Sequence, residues 1–332
     1  MRRSKLAFLA GVLCRRVVPL LLLGAATIGC GSGSAPEDRS VQLVGSVGRQ
    51  PGQFSKPRAV AITRAGEVVV VDRTGRIIFH DLKTGEFVRQ FWLPAWDNGT
   101  PTGISVDPKD DTLWVADTHY HRVLHYDREG TLLGQFGEEG EDPGRFVFLT
   151  DVCPDPDGET LWITDYGRRN RVMRFTRDGQ FLGEWATALF ENDDLQRPMA
   201  VTLSPDGQRV YVVDTGNCRV NVYTREGEKV LSFGAPGLEP GQFNMPQDMA
   251  LGPDNLLYVI EYSNCRVSTF TLDGQFVGTW GTAGNAPGQF YTPWGIAVAG
   301  DGTLVVADTM NHRLQIVRRP TELAWLPAGE RP

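Results

Sequence analysis

Six segments of the chain repeat one pattern: Val69-Val70-Val71-Asp72, Leu113-Trp114-Val115-Ala116-Asp117, Leu161-Trp162-Ile163-Thr164-Asp165, Val210-Tyr211-Val212-Val213-Asp214, Leu257-Tyr258-Val259-Ile260-Glu261 and Leu304-Val305-Val306-Ala307-Asp308. The acidic residues that close these runs stand 45, 48, 49, 47 and 47 residues apart. A fixed period of this size is the signature of a repeat architecture, in which each unit buries its apolar surface against the next. Each run is β-branched or aromatic and has the length of a buried strand. Around it the same four-strand unit recurs. A Pro-led alternating strand such as Pro101-Thr102-Gly103-Ile104-Ser105-Val106 precedes the run, and Arg122-Val123-Leu124-His125-Tyr126 typifies the strand that follows. An Asp-Gly or Glu-Gly turn then leads to a fourth strand such as Phe276-Val277-Gly278-Thr279-Trp280. Glycine in those turns supplies the positive φ a tight hairpin needs. Four antiparallel strands per unit, arranged radially, predict an all-β, six-bladed β-propeller.

The chain ends predict how such a ring closes. The last repeat stops after its third strand, at Arg313 to Val317, and Val41 to Gly48 reads as an orphan fourth strand. Pairing the two seals the ring and removes the exposed edge an open sheet would carry. The propeller is therefore expected over 41–319, with a Pro-bearing tail at 320–332 outside it.

The pattern Pro-x-Gly-Ile-Ala-Val…Val-Ala-Asp-x-x-Asn-x-Arg-Leu resembles the NHL repeat family. Its best carriers are Asp214-Thr215-Gly216-Asn217-Cys218-Arg219-Val220 and Asp308-Thr309-Met310-Asn311-His312-Arg313-Leu314. The near-identical linkers Pro51-Gly52-Gln53-Phe54, Pro240-Gly241-Gln242-Phe243 and Pro287-Gly288-Gln289-Phe290, with Pro143-Gly144-Arg145-Phe146 as a fourth, extend the resemblance over 41–317. The resemblance implies a six-bladed propeller, in agreement with the count of repeats.

The first 30 residues are of another kind. Arg2, Arg3, Lys5, Arg15 and Arg16 form a basic region ahead of the apolar stretch Val17 to Ile28, which is short for a bilayer span and reads as an export signal. It closes on Thr27-Ile28-Gly29-Cys30, which resembles the lipobox of bacterial lipoproteins, with Thr27 where leucine is usual. That resemblance implies lipidation at Cys30 and a location in the cell envelope, lipid-anchored or otherwise extracytoplasmic; a plain signal peptide and an uncleaved anchor are the alternatives. Residues 31–40, opening Gly31-Ser32-Gly33-Ser34, would be a flexible tether. Loss of residues 1–30, which carry five basic and no acidic side chains, moves the formal charge from −7 to −12. Such an acidic protein repels nucleic-acid phosphates and anionic lipid, leaving the N-terminus as its only link to a membrane. A monomer is expected.

Beyond Cys30 the mature chain holds Cys153, Cys218 and Cys265, an odd number. Cys218 and Cys265 occupy equivalent loops of adjacent blades, beyond the ~7 Å Cα reach of a disulfide, so three separate thiols are expected.

Binding chemistry is expected in the loops of one face, where linkers enter first strands and second strands turn into third. The recurring pairs Asp117/Arg122, Asp165/Arg171, Asp214/Arg219, Glu261/Arg266, Asp308/Arg313 and the shorter Asp72/Arg76 read as scaffold, since all six units carry one. A ring of arginines reading an anion is the rival. His119, His121 and His312 lie in loops of that face, and a metal would need a further ligand that the sequence does not name.

Peptidyl-hydroxyglycine amidating lyase has a related propeller whose zinc is held by histidines just after the proline that opens a blade. The corresponding positions here are Arg58, Thr102, Thr150, Met199, Gln247 and Trp294, none of them histidine; His121 alone falls where that lyase has its third zinc ligand. The next column inward reads Ala59, Gly103, Asp151, Ala200, Asp248 and Gly295. The resemblance implies a Ca²⁺ role for a carboxylate in this column, making Asp151 and Asp248 candidate ligands of a structural Ca²⁺; capping of neighbouring backbone N–H groups is the favoured reading of the two. The irregular linkers are the other departures from the repeat: one carries Trp92, Trp96 and Asp97, the other the acidic Phe190-Glu191-Asn192-Asp193-Asp194. Together with Met199, Gln247 and Trp294 at the channel mouth, Trp96, Asp97, His121 and His312 are the candidate binding residues. These features point to a non-catalytic binding module for a protein, peptide or glycan. The alternative is a metal-dependent propeller enzyme of the lyase or lactonase kind with its site in the axial channel.

Overall fold

A computed structural model of the chain describes residues 41–185 and 195–318. The export segment with Cys30, the tether at 31–40, the acidic linker around Glu191 and the tail at 320–332 lie outside the described residues. No helix among the described residues is long and apolar enough to cross a membrane.

Six four-stranded antiparallel sheets follow one another along the chain. Their first strands are Pro57–Ile62, Gly103–Val106, Phe148–Pro154, Pro198–Leu203, Pro246–Leu251 and Ile296–Val298, here blades 1 to 6. Each blade runs outward from its first strand, which borders the axis, to a fourth strand at the rim. Blade 6 takes its fourth strand from the N-terminus: Val41–Val44 pairs antiparallel with Arg313–Val317, with Val41 opposite Val317 and Val44 opposite Leu314. The ring is thus closed by the strand that the sequence left unpaired.

The apolar second strands lie at the middle of every blade and are buried from end to end, except for a half-buried first residue in several and the half-buried Tyr166 at the end of that of blade 3. Their side chains alternate between the two faces of the sheet, so each blade feeds the cores on both its sides. Val69 and Val71, for instance, pack towards blade 2, whereas Val68 and Val70 pack towards blade 6. The linker phenylalanines Phe54, Phe146, Phe243 and Phe290 are fully buried, which explains why the Pro-Gly-x-Phe motif repeats.

The acid–arginine pairs are scaffold. All six are in contact, at 2.7–3.1 Å in blades 2 to 6, and every acid is fully buried. In blade 5, Arg266 also donates to the carbonyls of Leu238 and Gln242, both at 2.7 Å, and Glu261 accepts from the Asn244 N–H at 3.0 Å. The pair therefore clamps the linker that enters the blade. Cys153, Cys218 and Cys265 are all free thiols.

Candidate functional site

The axis of the ring is a cavity of about 570 Å³ lined by first strands. Thr102, Met199, Gln247 and Trp294 line it near the linker-bearing face, and Pro108, Pro156, Pro205 and Pro253 line it near the other. Two of the expected channel-mouth residues, Met199 and Gln247, are buried, and the Gln247 side-chain carbonyl has no hydrogen-bond partner. The inner column is packed to backbone contact. An added Cβ on Gly103 would stand 2.6 Å from Asp151 Oδ1, and one on Gly295 would stand 2.2 Å from the Arg58 carbonyl.

Asp151 and Asp248 both line this cavity. Each spans two blades. Asp151 accepts from its neighbour Val152 N–H at 2.9 Å and from Val201 of blade 4 at 3.0 Å. Asp248 accepts from Met249 at 2.8 Å and from Ile296 of blade 6 at 3.0 Å. Burial pushes the Asp151 carboxyl up to about 6, and burial together with the charge of Asp151 pushes Asp248 well above the ordinary carboxylate range. The pair thus ties blade 3 to blade 4 and blade 5 to blade 6 through backbone N–H groups. Among the described residues no three His, Cys, Asp or Glu side chains converge as a metal-ligand set.

Above the cavity the mouth is basic and aromatic. The Arg58 guanidinium stands 4.7 Å over the Trp294 ring, and Tyr262 meets that ring edge-on at 5.8 Å. Across the mouth Arg197 lies 5.7 Å over Tyr166, which stacks on Phe148 at 5.2 Å. Arg58, Arg73 and Arg197 have no carboxylate within ion-pair distance among the described residues, and the buried Nε of Arg58 has no hydrogen-bond partner. Burial, and then the neighbouring charge of Arg73, pull the Arg58 guanidinium down to about 10, so it stays charged at neutral pH. His119 is lowered by burial first and then by Arg58, His121 and Arg73, which keeps that imidazole neutral near pH 7. This is a concentrated positive, planar-lined surface on a chain of net negative charge.

The remaining expected residues are placed apart. His312 accepts from the Lys56 N–H through Nδ1 at 3.2 Å, joining blade 6 to blade 1. His121 is the left-handed residue after the blade 2 turn and lies 4.0 Å from Glu139. Trp96 and Asp97 sit on the linker into blade 2, with Trp96 covering Gly75 of blade 1. The residues that the sequence reading passed over are Arg73, Tyr166, Tyr262 and Arg197. A signal for three of them exists: the position after each acid reads Arg73, Thr118, Tyr166, Thr215, Tyr262, Thr309, and three of its members depart from threonine.

Six blades, an N-terminal closing strand and an axial cavity define the chain as a six-bladed β-propeller. Two of its units, residues 99–126 and 290–317, match the NHL repeat. Among curated proteins, the chain is 28% identical over 134 residues to the brain tumor protein of Drosophila melanogaster, covering 40% of this chain. It is 29% identical over 134 residues to peptidyl-glycine alpha-amidating monooxygenase A of Xenopus laevis, covering 38% of this chain. These matches span only 12% and 14% of those relatives' own length. Among solved structures, a streptogramin B lyase superposes with a TM-score of 0.61 at 15% identity, over 84% of this chain and 97% of the lyase. A gluconolactonase from Xanthomonas campestris superposes with a TM-score of 0.60 at 18% identity, over 80% of this chain and 86% of the enzyme. At such identities the likeness is one of fold.

Proposed function

We propose that the chain is a binding module, held in the cell envelope by a lipid on Cys30, that takes a protein, peptide or glycan at the mouth of its axial cavity. The observation that carries this reading is Arg58, a half-buried cation with no anionic partner among the described residues, seated on Trp294. A buried charge without a partner is costly in a finished core and useful in a site that awaits an anionic group. Tyr166, Tyr262 and Trp294 offer flat apolar faces beside it, the composition that concentrates binding energy at interfaces. The likeness to the brain tumor protein and to an amidating monooxygenase allows both binding and catalysis. What favours binding is the column just after the opening prolines: the amidating lyase resemblance calls for two zinc-binding histidines there, and it reads Arg58, Thr102, Thr150, Met199, Gln247 and Trp294.

Crosslinked pull-downs from envelope extracts test this with the wild-type chain, Arg58→Ala and Trp294→Ala. Partners captured by the wild type and lost by both variants are expected. Identical capture by all three proteins would remove the mouth as the site. The metal-dependent enzyme is tested by elemental analysis of the purified chain, where one zinc per chain would displace the binding reading.

A further inference from the structure

Blade 2 breaks the clamp that the other blades share. In blades 1, 3, 5 and 6 the arginine of the pair donates to linker carbonyls, for example Arg76 to Gln53 at 3.1 Å, Arg171 to Arg145 at 2.6 Å and Arg313 to Asn285 at 2.7 Å. The acid also accepts a linker N–H, through the oxygen turned away from the arginine in blades 3, 4 and 6 and through the shared oxygen in blade 1: Ser55 on Asp72 at 3.0 Å, Val147 on Asp165 at 2.9 Å, Gln196 on Asp214 at 2.7 Å and Tyr291 on Asp308 at 2.8 Å. In blade 2, Asp117 Oδ1 and Arg122 Nη2 are buried and have no hydrogen-bond partner among the described residues. Two more polar atoms beside them share that condition, His121 Nδ1 and the Tyr126 hydroxyl.

The cause is a shorter linker. Eight residues, 93–100, separate the fourth strand of blade 1 from Pro101, whereas twelve, 234–245, separate that of blade 4 from Pro246. The missing four are the excursion that carries Pro-Gly-x-Phe. The short linker instead runs over blade 1: Leu93 N–H donates to the Gly75 carbonyl at 2.8 Å, and Gly99 N–H turns back to Trp96 at 3.1 Å. In blades 3 and 5 the linker phenylalanine packs on Phe175 or Phe270, at 5.5 and 5.2 Å. The matching residue of blade 2 is Tyr126, and there the linker supplies only the smaller Leu93, which is buried in the same core cluster. An unpaired buried polar atom has lost its hydration without a hydrogen bond in return, so the four together are a cost that a bound segment would remove.

The surroundings suit a protein partner. The fourth strand of blade 2, Leu132–Phe136, is exposed over its first four residues and presents Leu132 and Leu133 to solvent at 41% and 53%. Trp92, 52% exposed, lies 6.3 Å from Trp96 beside the short linker.

We propose that the open clamp of blade 2 is a docking slot for an extended segment of a partner polypeptide of Pro-Gly-x-Phe character. Its N–H pairs with Asp117 Oδ1, its carbonyls pair with Arg122, and its aromatic residue displaces Leu93 and packs towards Tyr126. The choice of occupant follows from the chain itself, because its own linkers fill the equivalent clamps with that segment. Tyr120, whose ring lies 5.0 Å from the Arg122 guanidinium and whose hydroxyl accepts from Asn98 N–H, covers the slot and swings aside on docking. Pairing through main-chain groups gives affinity, and the phenylalanine pocket gives selectivity.

The test is fluorescence anisotropy with a labelled peptide of the sequence of residues 237–244 against the purified full chain. Saturable binding is expected, tightened by Tyr120→Ala. It should weaken at least about tenfold in Arg122→Gln, which loses a charge-assisted hydrogen bond. A graft that replaces residues 93–100 with the sequence of 234–245 should abolish binding and raise the melting temperature, because the chain then fills its own slot. Circular dichroism checks that each variant is folded. No saturation by about 1 mM peptide, as when water alone fills the slot, overturns the proposal. Undiminished binding by folded Arg122→Gln or by the folded graft also overturns it.

Discussion

Thr309 Oγ1 donates to the carbonyl of Pro57 at 2.7 Å, joining residues 252 positions apart at the seam between the last blade and the first. The same bond recurs inside the ring, where Thr215 Oγ1 donates to Pro246 at 2.5 Å. The threonine after the acid of one blade thus fastens the opening proline of the next, and the seam is held like any other junction. Thr309→Val keeps the shape and leaves the Pro57 carbonyl without its donor. A loss of about 1–2 kcal/mol is expected, measured by urea denaturation. A variant lacking residues 41–44 should fare far worse, exposing the Arg313–Val317 edge and self-associating in size-exclusion chromatography.

The clamps make a sharper energetic prediction. Arg266 is buried against Glu261 and serves three linker carbonyls besides. Arg266→Ala strands a buried carboxylate and should cost about 3–5 kcal/mol. Lys109 and Glu159 make an ion pair of similar length, 2.8 Å, on the surface, with side chains 53% and 71% exposed. Solvent screens that pair, so Lys109→Ala should change stability by less than about 1 kcal/mol. Equal losses in the two variants would contradict the assignment of the clamp as scaffold.

The fold was legible because the repeat is both local and redundant: six copies of one strand pattern average out the irregularities of any single blade. The mouth was not legible in the same way. Arg58 and Trp294 stand 236 positions apart and meet only because the ring closes, so reading Arg58 as one more position without histidine missed what it does. Blade 2 shows the opposite failure. Asp117 and Arg122 have the same residues and spacing as Asp214/Arg219 and Asp308/Arg313, yet the route of residues 93–100 leaves Asp117 Oδ1 and Arg122 Nη2 without linker partners. Asp151 and Asp248 were visible as outliers in a column of small residues. Capping of backbone N–H groups is the role the sequence favours for them over Ca²⁺ binding, and the bonds to Val201 and Ile296 are such caps reaching into the next blade.

Those two carboxyls carry a pH dependence. Asp151 is pushed up to about 6 and Asp248 is raised well above 3.8, by burial and, for Asp248, by its neighbour's charge. Below about pH 4 both are protonated whether the chain is folded or not, and they have no effect on its stability. As the pH rises from there through about 6, the unfolded chain releases these protons first, so the folded state loses stability across that window. Carboxylates with lowered values, such as Asp206, act in the opposite direction in any variant. The difference between the wild type and an Asp151→Asn/Asp248→Asn double variant therefore isolates the pair. Relative to the variant, the wild type should lose stability between pH 4 and 7 in urea titrations; a difference that stays constant with pH would refute the shared burial cost.

Glycine at the inner column makes the last prediction, and two glycines of one blade separate its causes. Gly295 has no special backbone conformation, but an added Cβ would stand 2.2 Å from the Arg58 carbonyl and 3.1 Å from the Ala59 Cα. Both contacts are backbone of blade 1, which cannot turn aside as a side chain would. Gly302 has φ +84° and nothing within 4 Å of its Cβ position. Gly302→Ala thus meets only the strain of a left-handed residue, about 1 kcal/mol. Gly295→Ala must instead push blades 6 and 1 apart at the axis, at a cost of about 3 kcal/mol or more. It should also disturb the Arg58–Trp294 contact, since both residues border the displaced backbone. Thermal melts of the two variants, with Trp fluorescence as a second readout, distinguish these effects. A Gly295→Ala variant as stable as Gly302→Ala would mean that the blades do not pack at the axis as tightly as the structure shows.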